Sequence, residues 1–339
     1  MKIKVIIAVC ATLIIVLFGI AIGSVYIPPG NILRIIGHNI FAQDLAEHVT
    51  PAHAAIIWNL RLPRALLAFF AGAALSVSGA VMQSVLRNPL ASSYTLGVSS
   101  GASFGAALVI FLGVSLPISQ MMTLPVLGFV FGLGTILLVM AIAARMDVHM
   151  ENHTIILTGM VLALFINAIT TLMFALFHEN MQRMVFWQMG SFSMRDWHTV
   201  FIMAPAALLG VLFITRYKWE LDIMTFGEEQ AQTVGVRIKS VKLILLIGAA
   251  ALTGVTIAFV GVIGFVDLVA PHIVRKIFGS SHRYVIPMSA LLGGAFMVLA
   301  DLAARTVVAP VELPVGAVTA IIGAPFFAYI YFGRRKKEA

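Results

Sequence analysis

The sequence predicts an all-α polytopic membrane protein, on two observations of composition and one of pattern. Apolar residues make up 60% of the 339-residue chain and charged residues 11%, whereas soluble domains carry about 45–50% and about 25%. The apolar residues form long unbroken runs, which are typical of membrane-spanning helices and not of short alternating strands. A soluble globule and a disordered chain are excluded by this composition. A disulfide scaffold is excluded because Cys10 is the single cysteine.

Ten candidate spans follow one another along the chain, and the first begins after Lys2 and Lys4. Its apolar run is longer than the core of a signal peptide, so we expect a span and not a cleaved leader. The candidates lie near residues 5–27, 65–86, 95–116, 121–143, 154–177, 199–215, 241–259, 260–275, 285–304 and 313–332. We therefore expect one transmembrane domain over residues 1–339.

The seventh and eighth spans share one apolar stretch, 241–274, which is interrupted by Gly254, Gly261 and Gly264. This stretch is too long for one ordinary crossing and short for two. A helix, a tight turn and a second helix is the first interpretation. One strongly tilted, interrupted helix is the alternative.

The basic residues predict which loops face the cytoplasm. With ten spans and both termini cytoplasmic, sixteen of the 22 lysines and arginines lie inside, as expected for a membrane protein. The six on the outer side are Arg34, Arg61, Arg64, Arg183, Arg195 and Arg305. Because this distribution explains most of the net charge of +8, we do not expect nucleic acid as a partner.

The segment 28–60, on the predicted outer side, contains several residues of metal-binding type. They are His38, Asp44, Glu47, His48 and His53. No metal-ligand spacing recurs among them, so we expect a solvated loop and no metal site.

The segment 216–240, on the predicted cytoplasmic side, mixes charges of both signs with apolar residues. The apolar positions are Leu221, Met224, Ala231 and Val234. This pattern favours an exposed amphipathic helix that docks on a partner, with a merely solvated loop as the alternative.

Two acidic residues, Asp267 and Asp301, lie within apolar runs, where charges are costly and mark pairing or function. Asp301 precedes Arg305 by four residues, so the two side chains share a helix face and are predicted to form an ion pair. Asp267 is expected either to pair locally or to face a wet cavity. The two acids keep an ion-coupled secondary transporter open as an alternative function.

Catalytic motifs are weak in this sequence. GVSSG at 97–101 matches a hydrolase nucleophile elbow, but that motif needs a strand before it and the stretch reads as helical. The sequence contains no GxxxxGK[ST], so we expect no ATP site of the P-loop kind on this chain. We therefore expect no enzyme activity and no cofactor on this chain.

Several short motifs follow one another between about residues 55 and 330. They are RLPR at 61–64, GAALSVSGAVMQ at 72–83, RNPLA at 87–91, LGVSSGA at 96–102, GVIGFV at 261–266, PHIVR at 271–275, ELPVG at 312–316 and GAP at 323–325. In this set and order the chain resembles the FecCD-type permeases. These are the membrane subunits of ABC importers for iron-siderophores, haem and cobalamin.

The resemblance implies a type II ABC importer permease fold with ten helices, in the cell membrane. It implies a second permease subunit, identical or homologous, whose interface forms the substrate path. It also implies two ATPase subunits, which bind ATP and magnesium, and an extracytoplasmic substrate-binding lipoprotein. A ferric siderophore is the first expectation for the substrate, with haem and cobalamin as alternatives.

The resemblance also implies roles for single residues. Docking of the binding protein would fall on Arg61, Arg64 and Arg305. Coupling to the ATPase would fall on Glu229, Ala231 and Gly235 in the 216–240 segment. Candidates for the gate or path are Asn88, Leu90, Ser99 and Asp267, together with the loop 145–152. Asp267 is a departure, because the family usually has glycine at that position.

Overall fold

The structure is a computed structural model that describes residues 1–23, 27–41 and 49–338, apart from the side chains of Pro29 and 329–338. The described residues form helices and turns and contain no β-strand. The helices are α1 (Lys2–Ala21), α2 (Pro29–Phe41), α3 (Pro51–Ala55), α4 (Leu62–Val85), α5 (Val98–Leu112), α6 (Gln120–Met146), α7 (Asn152–Leu176), α8 (Met181–Gln188), α9 (Trp197–Thr215), α10 (Lys218–Met224), α11 (Glu228–Thr233), α12 (Ile238–Val260), α13 (Val266–Phe278), α14 (His282–Thr306) and α15 (Val315–Glu338).

Seven helices of the described chain are long and apolar enough to cross a bilayer. They are Lys2–Ala21, Pro51–Val85, Gln120–Met146, Asn152–Leu176, Trp197–Thr215, Ile238–Val260 and His282–Thr306. In the second of these, a π-helical turn, Ile56–Arg61, joins α3 to α4 without a break. Two shorter apolar helices, Val98–Leu112 and Val315–Ala328, lie where the third and tenth spans are predicted. The all-α polytopic fold is confirmed, and the number of ten spans stays a prediction.

The apolar stretch 241–274 is divided into two helices. Helix α12 ends at Gly261, whose φ is +80°, and α13 begins after Phe265, whose φ is +70°. A Cβ atom at Gly261 would also collide with the backbone carbonyl of Trp187. Glycine is therefore required at this turn, and the helix–turn–helix interpretation is confirmed.

Helix α4 lies at the centre of the bundle. Its most apolar window is 83% buried within the chain, against 17% for α7, which leaves α7 for lipid or a partner subunit. Gly72 of α4 and Gly293 of α14 face each other so closely that a Cβ on either would collide with the other's carbonyl. Small residues thus bring the two helix backbones together where lipid gives no hydrophobic drive.

The segment 28–60 differs from the solvated loop that we expected. Helix α2 buries Ile32 and Ile35 completely, in one cluster with Ile57 and the end of α1. The apolar face of α2 outweighs the polar residues around it, so this part packs on the bundle. Among the residues of metal-binding type, Asp44, Glu47 and His48 lie outside the described residues.

Candidate functional site

The predicted docking residue Arg64 lies in the first turn of α4 and is held by two carboxylates. Its guanidinium forms ion pairs with Asp301 of α14 at 2.8 Å and with Glu312 at 2.9 Å. A second hydrogen bond from Arg64 Nε reaches Asp301 Oδ1 at 3.0 Å. Asp301 is 1% exposed, so these charge-assisted bonds lie in a medium of low dielectric constant.

The other two predicted docking arginines hold the end of α1. Arg305 donates to the carbonyl of Gly19, and its Nε lies 3.6 Å from Asp301 Oδ2. Arg61 is 7% exposed and donates to the carbonyl of Ala21 at 2.8 Å. Positive charges are favoured at a helix C-terminus, so both residues have a structural role here. Their role in docking stays a prediction.

Glu312 completes this arrangement, and sequence reasoning missed it. It belongs to the ELPVG motif, but 248 residues separate it from Arg64 and no local pattern pairs them. Partial burial alone would raise the pKa of Glu312, but the hydrogen bonds and charge of Arg64 lower it below the ordinary value. We call Arg64, Asp301, Arg305 and Glu312 the arginine cluster.

The predicted gate residues Asn88 and Leu90 lie in a turn, residues 87–91, that directly follows α4. The backbone N–H of Asn88 donates to the carbonyl of Gln83 at 3.1 Å. The side-chain oxygen of Asn88 accepts the N–H of Leu90 at 2.9 Å. Asn88 thus shapes the turn, while the Leu90 side chain is 42% exposed.

A cleft of about 570 Å³ brings three of the predicted elements together. The start of the 87–91 turn forms one wall, and residues 151–153 form another. Glu228, from the 216–240 segment, completes the lining. The arrangement therefore places the predicted gate turn, the end of the 145–152 loop and the predicted coupling segment around one cleft, whose lining mixes polar and apolar residues.

The 145–152 loop is stabilised by Asp147. Its carboxylate accepts the backbone N–H of Glu151 at 2.7 Å and that of His149 at 2.8 Å. These two donors lower the pKa of Asp147. A carboxylate that satisfies two backbone donors in this way favours one conformation of the loop.

The 216–240 segment forms two short helices, α10 and α11, and not the single amphipathic helix that we expected. Helix α10 ends at Met224, and Gly227, with φ +139°, is the N-cap residue of α11. Of the four apolar positions, Leu221, Met224 and Ala231 are buried within the chain and not left exposed for a partner, whereas Val234 is 65% exposed.

The exposed face of the 216–240 segment is partly apolar. Trp219 is 65% exposed and Phe226 is 79% exposed. Of the predicted coupling residues, Ala231 is buried, whereas Glu229 and Gly235 are exposed. Gly235 has φ +90°, a conformation that favours glycine.

Lys242 of α12 anchors the 216–240 segment to the bundle, and it was not among the predicted site residues. Its side chain is fully buried, and its ammonium group lies 2.7 Å from Glu228 and donates to the carbonyl of Met150 at 3.1 Å. A buried lysine requires such partners. The only signal in the sequence is a lysine at the start of an apolar run.

Asp267 lies at the start of α13 and is 2% exposed, with its carboxylate beside the side chain of Ser92. Its backbone carbonyl accepts a hydrogen bond from Gln83 at 3.1 Å, and it packs closely on Gly79 of α4. Asp267 therefore helps to join α13 to α4. Its role in the path stays a prediction.

Ser99, in the GVSSG motif, lies in the first turn of α5 and is half-buried. The motif follows a turn, and the described part of the chain has no strand there to form a nucleophile elbow. The motif is thus a helix start. Gly101 in it allows close approach of the Phe131 carbonyl in α6.

The FecCD transport family is the family whose model matches this chain, over residues 11–333. The ABC transporter permease protein YvrB of Bacillus subtilis is 44% identical over 93% of this chain and 89% of its own length. The Fe(3+) dicitrate transport system permease protein FecD of Escherichia coli is 37% identical over 82% of this chain and 85% of its own.

Further relatives are 32–37% identical and are named for import of Fe(3+)-citrate, hemin, cobalamin and molybdate. Among solved structures, a metal-chelate type ABC transporter in an inward-facing conformation matches with a TM-score of 0.85. It is 28% identical, and the match covers 98% of this chain and all of that one. The architecture described above is thus similar to that of known transporter subunits over nearly its full length.

Proposed function

The chain belongs to the FecCD transport family and is a membrane permease subunit of an ABC importer, with the ATPase on a partner chain; from this premise we propose that it imports a ferric siderophore or a similar ferric chelate. We further propose that it pairs with a second permease subunit and forms the substrate path at their interface. No ATP or magnesium would bind to this chain itself.

The observation that carries the proposed coupling to a separate ATPase is the cleft between the 87–91 turn, residues 151–153 and Glu228. A transporter driven from outside its own chain needs a docking surface that touches its gate. Exposed Trp219 and Phe226 on the 216–240 segment fit such a surface, because aromatic residues are enriched where proteins bind one another. We propose that the ATPase docks there, on exposed Glu229 and Gly235, with buried Ala231 supporting that surface from within the chain.

At the opposite end, we propose that a substrate-binding lipoprotein docks on Arg64 and the residues around it, with Arg61 and Arg305. Acidic residues of that protein would share Arg64 with Glu312, whose carboxylate is 42% exposed. Charge pairing of this kind mainly speeds and orients association. The topology that goes with this proposal has both termini in the cytoplasm.

The substrate class is proposed from the relatives. Three of them, 34–37% identical to this chain, are named for ferric citrate. Hemin, cobalamin and molybdate relatives have similar identity. A ferric chelate is therefore the first choice, and haem or cobalamin is the second.

The test is uptake into proteoliposomes that contain the permease, its ATPase and its binding protein. Labelled ferric citrate, ferric hydroxamate and catecholate siderophores, haemin, cobalamin and molybdate are offered separately. We expect ATP-dependent uptake of at least one ferric chelate, lost when the binding protein is left out. Uptake of haemin, cobalamin or molybdate alone would contradict the proposed substrate.

An ion-coupled secondary transporter is the alternative that the intramembrane acids raised. As a proton carrier, Asp301 would have to break its ion pair with Arg64, whose guanidinium lies 2.8 Å away. The permease without its ATPase, placed in liposomes with a proton gradient, separates the two hypotheses. We expect no uptake there.

A further inference from the structure

The 216–240 segment caps a spanning helix that lies far from it in the sequence. Asp222 Oδ1 accepts the backbone N–H of His282 at 2.7 Å, and it lies 2.6 Å from the same residue's ring Nδ1. The hydroxyl of Ser281 donates to Asp222 Oδ2 at 3.1 Å. Ser281 is the N-cap residue of α14 but makes no side-chain cap bond to that helix. Asp222 therefore supplies the cap of α14 from α10, where a carboxylate is also favoured by the helix dipole.

His282 connects this cap to the end of α4. Its side chain is 1% exposed, and its ring Nε2 lies 2.7 Å from Ser84 Oγ. Ser84 Oγ also accepts a hydrogen bond from Arg275 of α13 at 3.1 Å, and Arg275 donates to the side-chain oxygen of Gln83. We call Asp222, His282, Ser84, Arg275 and Gln83 the histidine chain. Its members come from four helices, α10, α14, α4 and α13.

The histidine chain ends on the two residues that hold the 87–91 turn. Gln83 and Ser84 belong to the last turn of α4. The Gln83 carbonyl accepts the N–H of Asn88 at 3.1 Å, and the Ser84 carbonyl accepts that of Arg87 at 3.3 Å. A displacement of α10 can therefore reach this turn through hydrogen bonds between buried or half-buried groups.

Asp222, His282 and Ser84 also stand in the order of a hydrolase triad, but the geometry excludes that role. Ser84 is 6% exposed, and its Oγ lies 2.9 Å from the carbonyl of Ala80 with Arg275 on another side. A substrate carbonyl has no approach to it. With ring Nδ1–H donated to Asp222, the Ser84 hydroxyl donates its single proton to Nε2 of His282, and every member of the histidine chain then has a partner. Such a satisfied network is stiff, as a mechanical link requires.

We propose that Asp222 and His282 are positioning residues that transmit movement of the 216–240 segment to the 87–91 turn. This inference rests on the proposed docking of the ATPase on that segment. When the ATPase moves α10, the start of α14 and the end of α4 follow, because separating them would break charge-assisted bonds to a buried histidine. Removal of Asp222 should leave ATP hydrolysis in place and uncouple it from the gate.

The experiment measures the accessibility of the 87–91 turn with a single cysteine. Cys10, the only natural cysteine, is replaced by serine, and Leu90→Cys provides the reporter in the turn. The complex with its ATPase is reconstituted. The alkylation rate of the Leu90→Cys reporter is measured without nucleotide and with a non-hydrolysable ATP analogue. The variants are Asp222→Ala, Asp222→Asn, Ser84→Ala and the double variant Asp222→Ala/Ser84→Ala. Glu179→Ala, which removes an exposed carboxylate outside the histidine chain, is the control.

We expect the reporter chain, which carries only Cys10→Ser and Leu90→Cys, to change its alkylation rate by about fivefold or more with nucleotide. The Glu179→Ala control in the same background should respond equally. In Asp222→Ala and Ser84→Ala this response should fall below about twofold, while ATP hydrolysis stays within about twofold of the unsubstituted value. The double variant should be no worse than either single one, since both cut the same link. Asp222→Asn should keep most of the response, because its amide oxygen still accepts both bonds from His282.

A full nucleotide response in Asp222→Ala would overturn the inference, as would additive losses in the double variant. If Asp222→Ala fails to assemble with the ATPase, Ser84→Ala decides alone, because Ser84 is buried away from the docking surface. If the alkylation rate of the reporter chain without further substitutions does not change with nucleotide, the proposed docking of the ATPase on the 216–240 segment is wrong. The proposed link through Asp222 and His282 is then wrong as well.

Discussion

The arginine cluster and the histidine chain solve the same problem, charged groups at the ends of α4 and α14, in different ways. In the arginine cluster, Arg64 binds one buried carboxylate, Asp301, and one carboxylate that is 42% exposed, Glu312. In the histidine chain, His282 is 1% exposed and its partners continue into the bundle. The outer carboxylate of the arginine cluster, Glu312, is thus more exposed than that of the histidine chain, Asp222, which is 23% exposed and has a buried histidine behind it.

The difference indicates a division of labour between the two ends of α4. The partly exposed carboxylate of Glu312 can separate from Arg64 at small cost, because exposed ion pairs contribute little to stability. A buried chain of hydrogen bonds resists separation and so moves as one unit. We therefore expect substitutions in the arginine cluster to change association, and substitutions around the histidine chain to change coupling.

The largest loss of stability is expected for Lys242→Met, which removes the fully buried ammonium group that holds the 216–240 segment through Glu228. Glu228 and the carbonyl of Met150 would lose their partner, at a cost of about 3 kcal/mol in the free energy of unfolding. The thermal midpoint of the detergent-solubilised protein measures this. Lys239→Met, at an exposed position of the same helix, is the control, and equal midpoints for both variants would show that the anchor is unimportant.

A smaller loss is expected for Arg64→Gln in the arginine cluster. Buried Asp301 would keep only Arg305, at 3.6 Å, so we expect a loss of about 2 kcal/mol. Adding Asp301→Asn should recover part of it, because the buried charge is then gone. The same thermal assay applies, with exposed Arg183→Gln as the control. A double variant less stable than Arg64→Gln would contradict this explanation.

The contact between α4 and α14, which joins the two regions, is tested by Gly72→Ala. The new methyl group would collide with the Gly293 carbonyl and force the helices apart, at a cost of about 1–2 kcal/mol. Gly134→Ala is the matched control, because nothing lies within 4 Å of a Cβ there. Equal thermal midpoints for the two variants would mean that the crossing is loose.

The smallest effect is expected for Glu312→Gln, below about 1 kcal/mol, because the pair with Arg64 is partly exposed. The pKa of Glu312 in the folded protein is lowered from its ordinary value of 4.5. Its contribution to stability is therefore complete above pH 4.5 and is lost as the pH falls through the lowered pKa. Thermal midpoints of both proteins between pH 7 and pH 3 should converge at the acidic end. A difference that grows with acidity would contradict the sign.

Local patterns predicted those parts of the fold that depend on neighbouring residues. The interruption at Gly261 was readable because a turn with positive φ needs glycine. The pattern of Leu221, Met224 and Ala231 predicted an apolar face, but the chain buries that face itself, and the break at Gly227 makes two helices from one predicted helix. The four-residue spacing of Asp301 and Arg305 indicated a pair, and the structure places them 3.6 Å apart.

Contacts between distant segments were not predictable from one sequence. Asp301 has a nearer partner in Arg64, 237 residues away, because α4 packs on α14 through Gly72 and Gly293. Asp222 and His282 are 60 residues apart and carry no shared motif. Such pairs depend on how helices cross, which a periodic pattern on one helix does not specify.

The central claim is that the arginine cluster serves docking and the histidine chain serves coupling. The most direct test measures two quantities in one reconstituted complex, the Kd of the binding protein and the nucleotide response of the Leu90→Cys reporter. We predict that Arg64→Gln raises the Kd by about tenfold and keeps the reporter response, whereas Asp222→Ala keeps the Kd and loses the response. If each variant changes both quantities together, the division between the two regions is wrong.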